Sequence, residues 1–314
     1  MYVVLAGGVG GSRFVSGLVR AIPPEQVTVV VNTGDDLDMY GLHISPDIDI
    51  NLYTLAGVLD PIRKWGWRED TFVTQQVMAQ YYEHRPCFNL GDRDLATHLL
   101  RTMYLHQGLS LTAVTDLLRQ RLGVRARVLP MTDQPVATYL QTSVGRLHFQ
   151  SYLIEHRMEP AIHRVEFQGL DRAVPAPGVL EAIAAADAIF LPPSNPVVSV
   201  GPILALPGVR EALAQKPVIG VSPLIDGKPV KGPADRMLRD LGGTATAAGI
   251  AAWYGALLDG YIMDEQDRAA AAELHGGLRV HVMDTLMTTP EAAEAVARAA
   301  IVLSRQVGGK RHAR

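Results

Sequence analysis

"YVVLAGGVGGSRFVSGLVRAIPPEQVTVVV", residues 2–31, decides the fold. Its first five residues, Tyr2–Ala6, are an unbroken apolar run that ends in glycines. A strand that is apolar on both faces is buried on both faces, as in a parallel sheet covered by helices. A helix follows from about Ser12 to Ala21 and stops before Pro23-Pro24. Val27–Val31 is then a second buried strand. Strand, glycine turn, helix and strand in that order open an α/β domain.

The same rhythm returns late in the chain. Residues 178–187 read as a helix, "AIFLP" (188–192) and "PVIGV" (217–221) as strands, and "GIAAWYGALLD" (249–259) as a helix. "YIMD" (261–264) and "RVHVMD" (279–284) are short strands. A closing helix starts at Thr289, its cap, with Pro290 at the first position. Between these halves, "NLYTLAGVL" (51–59) looks helical, with Asp47 and Asp49 at or just before its first turn, where carboxylates suit the helix dipole. Residues 94–108 and 110–123 form two amphipathic helices. The stretch from about 60 to 125 therefore reads as an inserted helical lobe over the active-site edge of one domain spanning 1–314. "VATYLQT" (136–142) and "RLHFQSYLI" (146–154) alternate and look like an antiparallel pair.

With 314 residues, 48% of them apolar, a full core is available. A net charge of −3 offers nothing for nucleic acid. The single cysteine, Cys87, excludes a disulfide framework and a cysteine zinc site and fits a reducing compartment. No stretch has the roughly 20 apolar residues of a membrane span. The expectation is a cytoplasmic protein without a membrane partner.

The core strands end, in order, in "GGVGGSR", "NTGDD", "PPSNP", "SPLIDG", "DEQD" and "DTLM". Ligands of open α/β sheets bind beyond the carboxyl ends of the strands, so these six polar exits form one binding face. Gly8-Val9-Gly10 begins like a dinucleotide fingerprint, but Arg13 stands where the last glycine belongs. That change favours a phosphorylated ligand, which arginine grips with two hydrogen bonds, over NAD. Asp35 and Asp36 leave the second strand, and Asp47 and Asp49 return eleven to fourteen residues later. Converging carboxylates raise one another's pKa unless a cation relieves them, and Mg²⁺ takes one or two carboxylates plus substrate phosphates. Asp38 reads as surface acid. "NLGDRDLATH" (89–98) sets Asp92, Arg93 and Asp94 before a helix aimed at the cleft, with His98 packing or capping. Ser194, Asn195 and Ser222 sit on proline-stiffened loops suited to a base or ribose. Lys228 and Lys231 meet either phosphate or solvent.

"GGVGGSRF", "VNTGDD", "SPDIDI", "LGDRDLATH", "PSNPVVSVGPIL" and "SPLIDGKPVKGPADRML" occur in this order. In this the chain resembles the 2-phospho-L-lactate transferase family, known as CofD or FbiA, over roughly residues 1 to 290. Cys87 stands where members usually carry an aromatic. The resemblance implies a Rossmann-like, mostly parallel sheet with flanking helices and a helical lobe, often in homodimers. It implies an Mg²⁺-dependent enzyme of coenzyme F-420 biosynthesis. Such an enzyme moves a phospholactyl or phosphoenolpyruvyl group from a guanosine diphosphate-linked donor to the terminal ribityl hydroxyl of the deazaflavin Fo, and GMP leaves. On that basis Asp35 and Asp49, with Asp36, are the expected metal ligands. Asp49 or Asp47 receives the acceptor proton, and Arg93 steadies the transferred phosphoryl. The expected substrate-binding set is Gly8, Gly10, Gly11, Arg13, Asn32, Asp49, Arg93, Ser194, Asn195, Ser222 and Lys228.

Two other readings compete. A YvcK-type regulatory module that binds nucleotide sugars shares the glycine-rich start and the "SNP"-like loop, but "LGDRDLATH" looks like the transferases. An NAD-dependent oxidoreductase needs the missing third glycine and an acid directly at the end of the second strand.

Overall fold

A computed structural model describes residues 1–81, 89–274 and 277–311. The chain opens with β1 (Tyr2–Ala6), α1 (Val9–Ala21) and β2 (Val27–Val31). A small hairpin, β3 (Leu37–Met39) and β4 (Leu42–Ile44), leads into α2 (Pro46–Leu55), α3 (Val73–Met78), α4 (Asp92–His106) and α5 (Leu111–Arg121). β5 (Arg127–Pro130) precedes an antiparallel side sheet of β6 (Ala137–Thr142), β7 (Gly145–His148) and, after α6 (Phe149–Ile154), β8 (Ile162–Gln168). Then come α7 (Val179–Ala185), β9 (Ala188–Leu191), α8 (Gly201–Ala205), α9 (Val209–Leu213) and β10 (Val218–Val221). A second hairpin, β11 (Leu224–Ile225) and β12 (Lys228–Pro229), is followed by α10 (Ala234–Asp240) and α11 (Ala247–Tyr254). β13 (Gly260–Asp264), β14 (Arg279–Met283) and α12 (Pro290–Arg311) complete the chain.

The central sheet has seven strands in the order β14-β13-β10-β9-β1-β2-β5, and each neighbouring pair is parallel. Strand alternation divides its side chains between two cores. Tyr2, Val4 and Ala6 of β1 face α1, α2, α5 and α12, where Phe14, Leu52, Val114 and Val296 are buried. Val3 and Leu5 face α7, α8, α9 and α11, with Ile183, Ile203, Leu213 and Ile250. The apolar runs read as doubly buried strands are therefore strands sandwiched between helix layers. The chain builds outward from β1 through β2 to β5, then returns to lay β9 on the other side of β1. The order of strands reverses between β1 and β9, which is where an open α/β sheet leaves a crevice.

Three boundaries differ from the sequence reading. α1 starts at Val9, because Gly10 and Gly11 are packed against neighbouring backbone and side chains and join the helix despite their low propensity. α2 starts at Pro46 and ends before Gly57 (φ 69°), so Asp47 and Asp49 lie inside its first turn. Of "RLHFQSYLI", Gly145–His148 pairs with β6, but from Phe149 the chain is helical; Phe149 and Tyr152, three apart, share one buried cluster. The other neighbour of β6 is β8, which the sequence reading missed.

In the stretch read as a helical lobe, α5 buries Leu111, Val114 and Leu118 in the core beside β5. α4 buries Leu95 against the β3–β4 hairpin, and α3 buries no residue. Thr289 Oγ1 accepts from the Ala292 amide at 3.1 Å, as a cap of α12 should. Among the described residues no helix is long and apolar enough to cross a membrane.

Candidate active site

A cavity of about 660 Å³ opens at the carboxyl end of the sheet, between the loop after β1 and the loop after β9. Gly8 and Gly10 form one lip, and Ser194, Asn195 and Ser199 the other. The two loops touch. A Cβ on Gly10 would lie 2.0 Å from the Pro193 carbonyl oxygen, and one on Gly11 would lie 2.9 Å from Ser194 Oγ. These glycines hold the lips together. Gly8 faces inward, its missing Cβ 3.3 Å from Asp47 Oδ1. The first amides of α1 also point here, since the opening turn of a helix has no carbonyl partners for them. Trp65, Leu90, Phe149, Leu153, Ile154 and Met158 give the cavity apolar lining.

Four acids, Asp35, Asp36, Asp47 and Asp49, stand beyond the end of β2 and at the start of α2. Asp35 and Asp47, both nearly inaccessible, line the cavity. Asn32 Nδ2 donates to Asp47 Oδ2 at 3.0 Å, while its own Oδ1 accepts from the Gly34 amide at 2.8 Å. Asn32 thus aims Asp47 from behind and is not among the lining residues. Asp35 Oδ1 is buried with no hydrogen-bond partner. Burial and then the charge of Asp47 push Asp35 well above the carboxylate range, and burial pushes Asp47 up to about 7. Asp36 accepts from Ser45 Oγ at 2.8 Å and meets His43 Nε2 at 3.2 Å; burial raises its pKa too. It does not line the cavity. Asp38 is exposed, as read.

Like charges buried together, with one carboxylate oxygen unsatisfied, fit a hard divalent cation. The pair that fits is Asp35 with Asp47. Among the described residues no three His, Cys, Asp or Glu side chains converge as a protein-only metal centre, so substrate oxygens would have to complete the shell.

Asp49, expected as the second metal ligand, is instead clamped by an arginine. Both of its oxygens accept from Arg101, one of them at 3.0 Å, and Arg101 is fully buried. Burial alone would lower the Arg101 pKa, but the charge and hydrogen bond of Asp49 reverse the shift. His98 lies between two acids, Nδ1 3.6 Å from Asp49 and Nε2 3.3 Å from Asp94. Tyr53 donates to Asp94 at 2.7 Å. Asp49, Tyr53, Asp94 and His98 all reach the cavity. This network was missed in the sequence. Its signal is the 4-then-3 spacing of Asp94, His98 and Arg101, one face of a helix.

Arg93 is the matching correction. It is exposed, donates to the Arg68 carbonyl at 3.2 Å, and does not line the cavity, because α4 turns position 93 away from the face that carries 94, 98 and 101. Arg13 likewise turns aside to donate to the Met287 carbonyl at 2.9 Å. Ser222 donates to the Leu224 carbonyl at 2.9 Å within its own turn. Lys228 is exposed beside Asp226 on the second hairpin, and Lys231 lines the cavity in its place. Ser194 points a buried, unpartnered hydroxyl at the lip; Asn195 lines the cavity, but its Oδ1 accepts from the Val197 amide at 2.9 Å. Of the six polar exits, those after β1, β2 and β9 line the cavity; the exit after β10, residues 222–227, does not, and the loop after β12 contributes Lys231, Gly232 and Pro233 instead. Asp264, the last residue of β13, instead accepts from the Thr285 amide and hydroxyl at 2.9 and 3.0 Å, tying the β13 and β14 exits to each other. Cys87 lies outside the described residues.

A family model described as "2-phospho-L-lactate transferase CofD" matches residues 2–301. A phosphoenolpyruvate transferase of Streptomyces griseus is 44% identical over 97% of this chain and 98% of that protein. A 2-phospho-L-lactate transferase of Methanosarcina mazei is 40% identical over 94% of this chain and 97% of that protein. Among solved structures, a UPF0052-family protein of Bacillus halodurans superposes with a TM-score of 0.63 at 19% identity, over 96% of this chain and 98% of that one. That last likeness shows a shared fold.

Proposed function

The chain belongs to the 2-phospho-L-lactate transferase CofD family, and on that premise we propose that it transfers a phosphoenolpyruvyl or phospholactyl group to the deazaflavin Fo, releasing GMP. The observation that carries the reading is the composition of one cavity. A glycine lip, two buried acids suited to a cation, a clamped third acid and apolar lining are what a diphosphate donor and a flat aromatic acceptor need together.

In this reading the donor diphosphate lies against Gly8 and the first amides of α1. Asp35 and Asp47 hold Mg²⁺, which supplies charge neutralisation to the phosphate oxygens when bound. The ring system of Fo packs on Trp65, Phe149 and their neighbours. Asp49, fixed by Arg101, orients the terminal hydroxyl and takes its proton. The hydroxyl oxygen forms a bond to the phosphorus that carries the three-carbon acid. The bond from that phosphorus to the bridging oxygen breaks, and GMP leaves with the bridging oxygen. Such transfers depend on positioning and charge more than on covalent help, which suits a site with rigid acids and no activated nucleophile. We propose a homodimer in the reducing cytoplasm for this chain as for the family it resembles.

The test is incubation of Fo and Mg²⁺ with each guanylylated three-carbon donor, read by mass spectrometry. A product carrying the phospho-acid, with one GMP per turnover, is expected. Fo that neither binds nor reacts with any donor would remove the reading.

A further inference from the structure

Two loops each bring a lysine into the cavity. Asp60 organises the first. Its Oδ1 accepts from the amides of Ile62 and Arg63, both at 2.8 Å, and its own amide donates to the Gly66 carbonyl at 3.1 Å. Within this loop Lys64 is left-handed (φ 62°), a conformation that Cβ disfavours and that persists only where the surroundings fix it. The second loop follows β12 and places Lys231 before Gly232 (φ 79°) and Pro233. Both lysines line the cavity.

Neither amine has a carboxylate within ion-pair distance among the described residues. The local acids are taken: Asp60 pairs with Arg63 at 2.7 Å, Asp226 lies 4.0 Å from Lys228, and Asp94, beside Gly66, is engaged by Tyr53 and His98. Lys231 is an exposed residue, and partial desolvation, then the charges of Arg13 and Lys64, pull its amine below the usual pKa. Lys64 and Lys231 are therefore electrostatic neighbours without a counter-ion.

The cavity thus holds two kinds of unmatched charge. Asp35 and Asp47 lack a cation, and Lys64 and Lys231 lack an anion. The donor of the proposed reaction carries two kinds of anion. In the proposed reading its diphosphate would lie at the glycine lip beside Asp35 and Asp47, and the carboxylate of its three-carbon acid is left over. We propose that Lys64 and Lys231 form the subsite that binds this carboxylate. Two ammonium donors on separate loops recognise a carboxylate by charge and by the spread of its two oxygens. They thereby select three-carbon acids over neutral alcohols at the same phosphate.

The assignment rests on the transferase reading, so its test uses binding, not turnover. Calorimetry would measure two probes with wild type, Lys64→Gln, Lys231→Gln and the double variant: GDP with Mg²⁺, and phosphoenolpyruvate with GMP present. Melting temperature serves as the folding control. The double variant should bind phosphoenolpyruvate at least about tenfold more weakly, the usual loss for a hydrogen bond to a charged group, with GDP affinity within about twofold of wild type. Unchanged affinity for both probes, a loss confined to GDP, or an equal loss for both would overturn the carboxylate assignment. A wild type that binds neither probe would instead overturn the transferase reading beneath it.

Discussion

At Asp47 burial and chemistry conflict most directly. Its carboxyl titrates at about 7 in the folded protein and near 3.8 in an unfolded chain. Between those values the folded state holds a proton that the unfolded state releases. The contribution of Asp47 to stability is thus complete below about pH 4 and is lost as pH rises through about 7. Metal-free Asp47→Asn should melt above wild type at pH 8, by on the order of 2 kcal/mol, and the gap should shrink towards pH 5. A gap independent of pH would show that Asp47 ionises as it does in water. At Asp49 the prediction is a cycle. Arg101→Met leaves a buried charge unpaired and should cost about 3–5 kcal/mol in urea unfolding. Asp49→Asn with Arg101→Met should recover most of that stability but no turnover of Fo. Full recovery of both would make the pair a strut. Arg93→Lys should change kcat by less than about threefold, as at an ordinary surface position. The sequence could not separate Arg93 from Arg101 because a polar helical stripe normally faces water. Only the surrounding hairpin and α2 show that 94, 98 and 101 face inward.

Elements were legible where both faces of a strand are apolar. β1 and β2 fall at the residues read, since no other element tolerates such runs so briefly. β8 was not legible: in "IHRVEFQ" charged residues sit on the exposed side of a three-stranded sheet, so no apolar run marks it. α2 was displaced because Pro46, not the later apolar residues, fixes its start. The glycine lip was read as a ligand contact throughout, and the structure divides it. Gly10→Val would drive a side chain into the Pro193 carbonyl, so melting temperature and donor affinity should fall together. Gly8→Ala meets only Asp47 Oδ1 and should weaken donor binding with little change in melting temperature. A Gly10→Val protein with wild-type stability and weak binding would return that residue to the ligand.

For the whole molecule, EDTA should abolish turnover, and Mg²⁺ should raise the melting temperature at pH 8 more for wild type than for Asp47→Asn. Equal rises would place the cation elsewhere. The parallel sheet and its polar edge could be read from strand exits alone, because every strand points the same way. Which exits meet could not, since that depends on the lateral order of strands, and the exits of β13 and β14 at one edge bind each other. The reversal between β1 and β9 also sets a timetable for synthesis. As the ribosome delivers the chain, β1, β2 and β5 are available early, but the inner flank of β1 stays bare until Ala188–Leu191 emerges. A bare central strand is a template for unwanted pairing, and long-range parallel pairing is slow. The nascent chain therefore carries this open edge until Ala188–Leu191 emerges, and the second lip arrives only after that edge is covered. A product truncated before Ala188 leaves that flank of β1 bare and should behave as a client for chaperones and proteases, not as a weak enzyme.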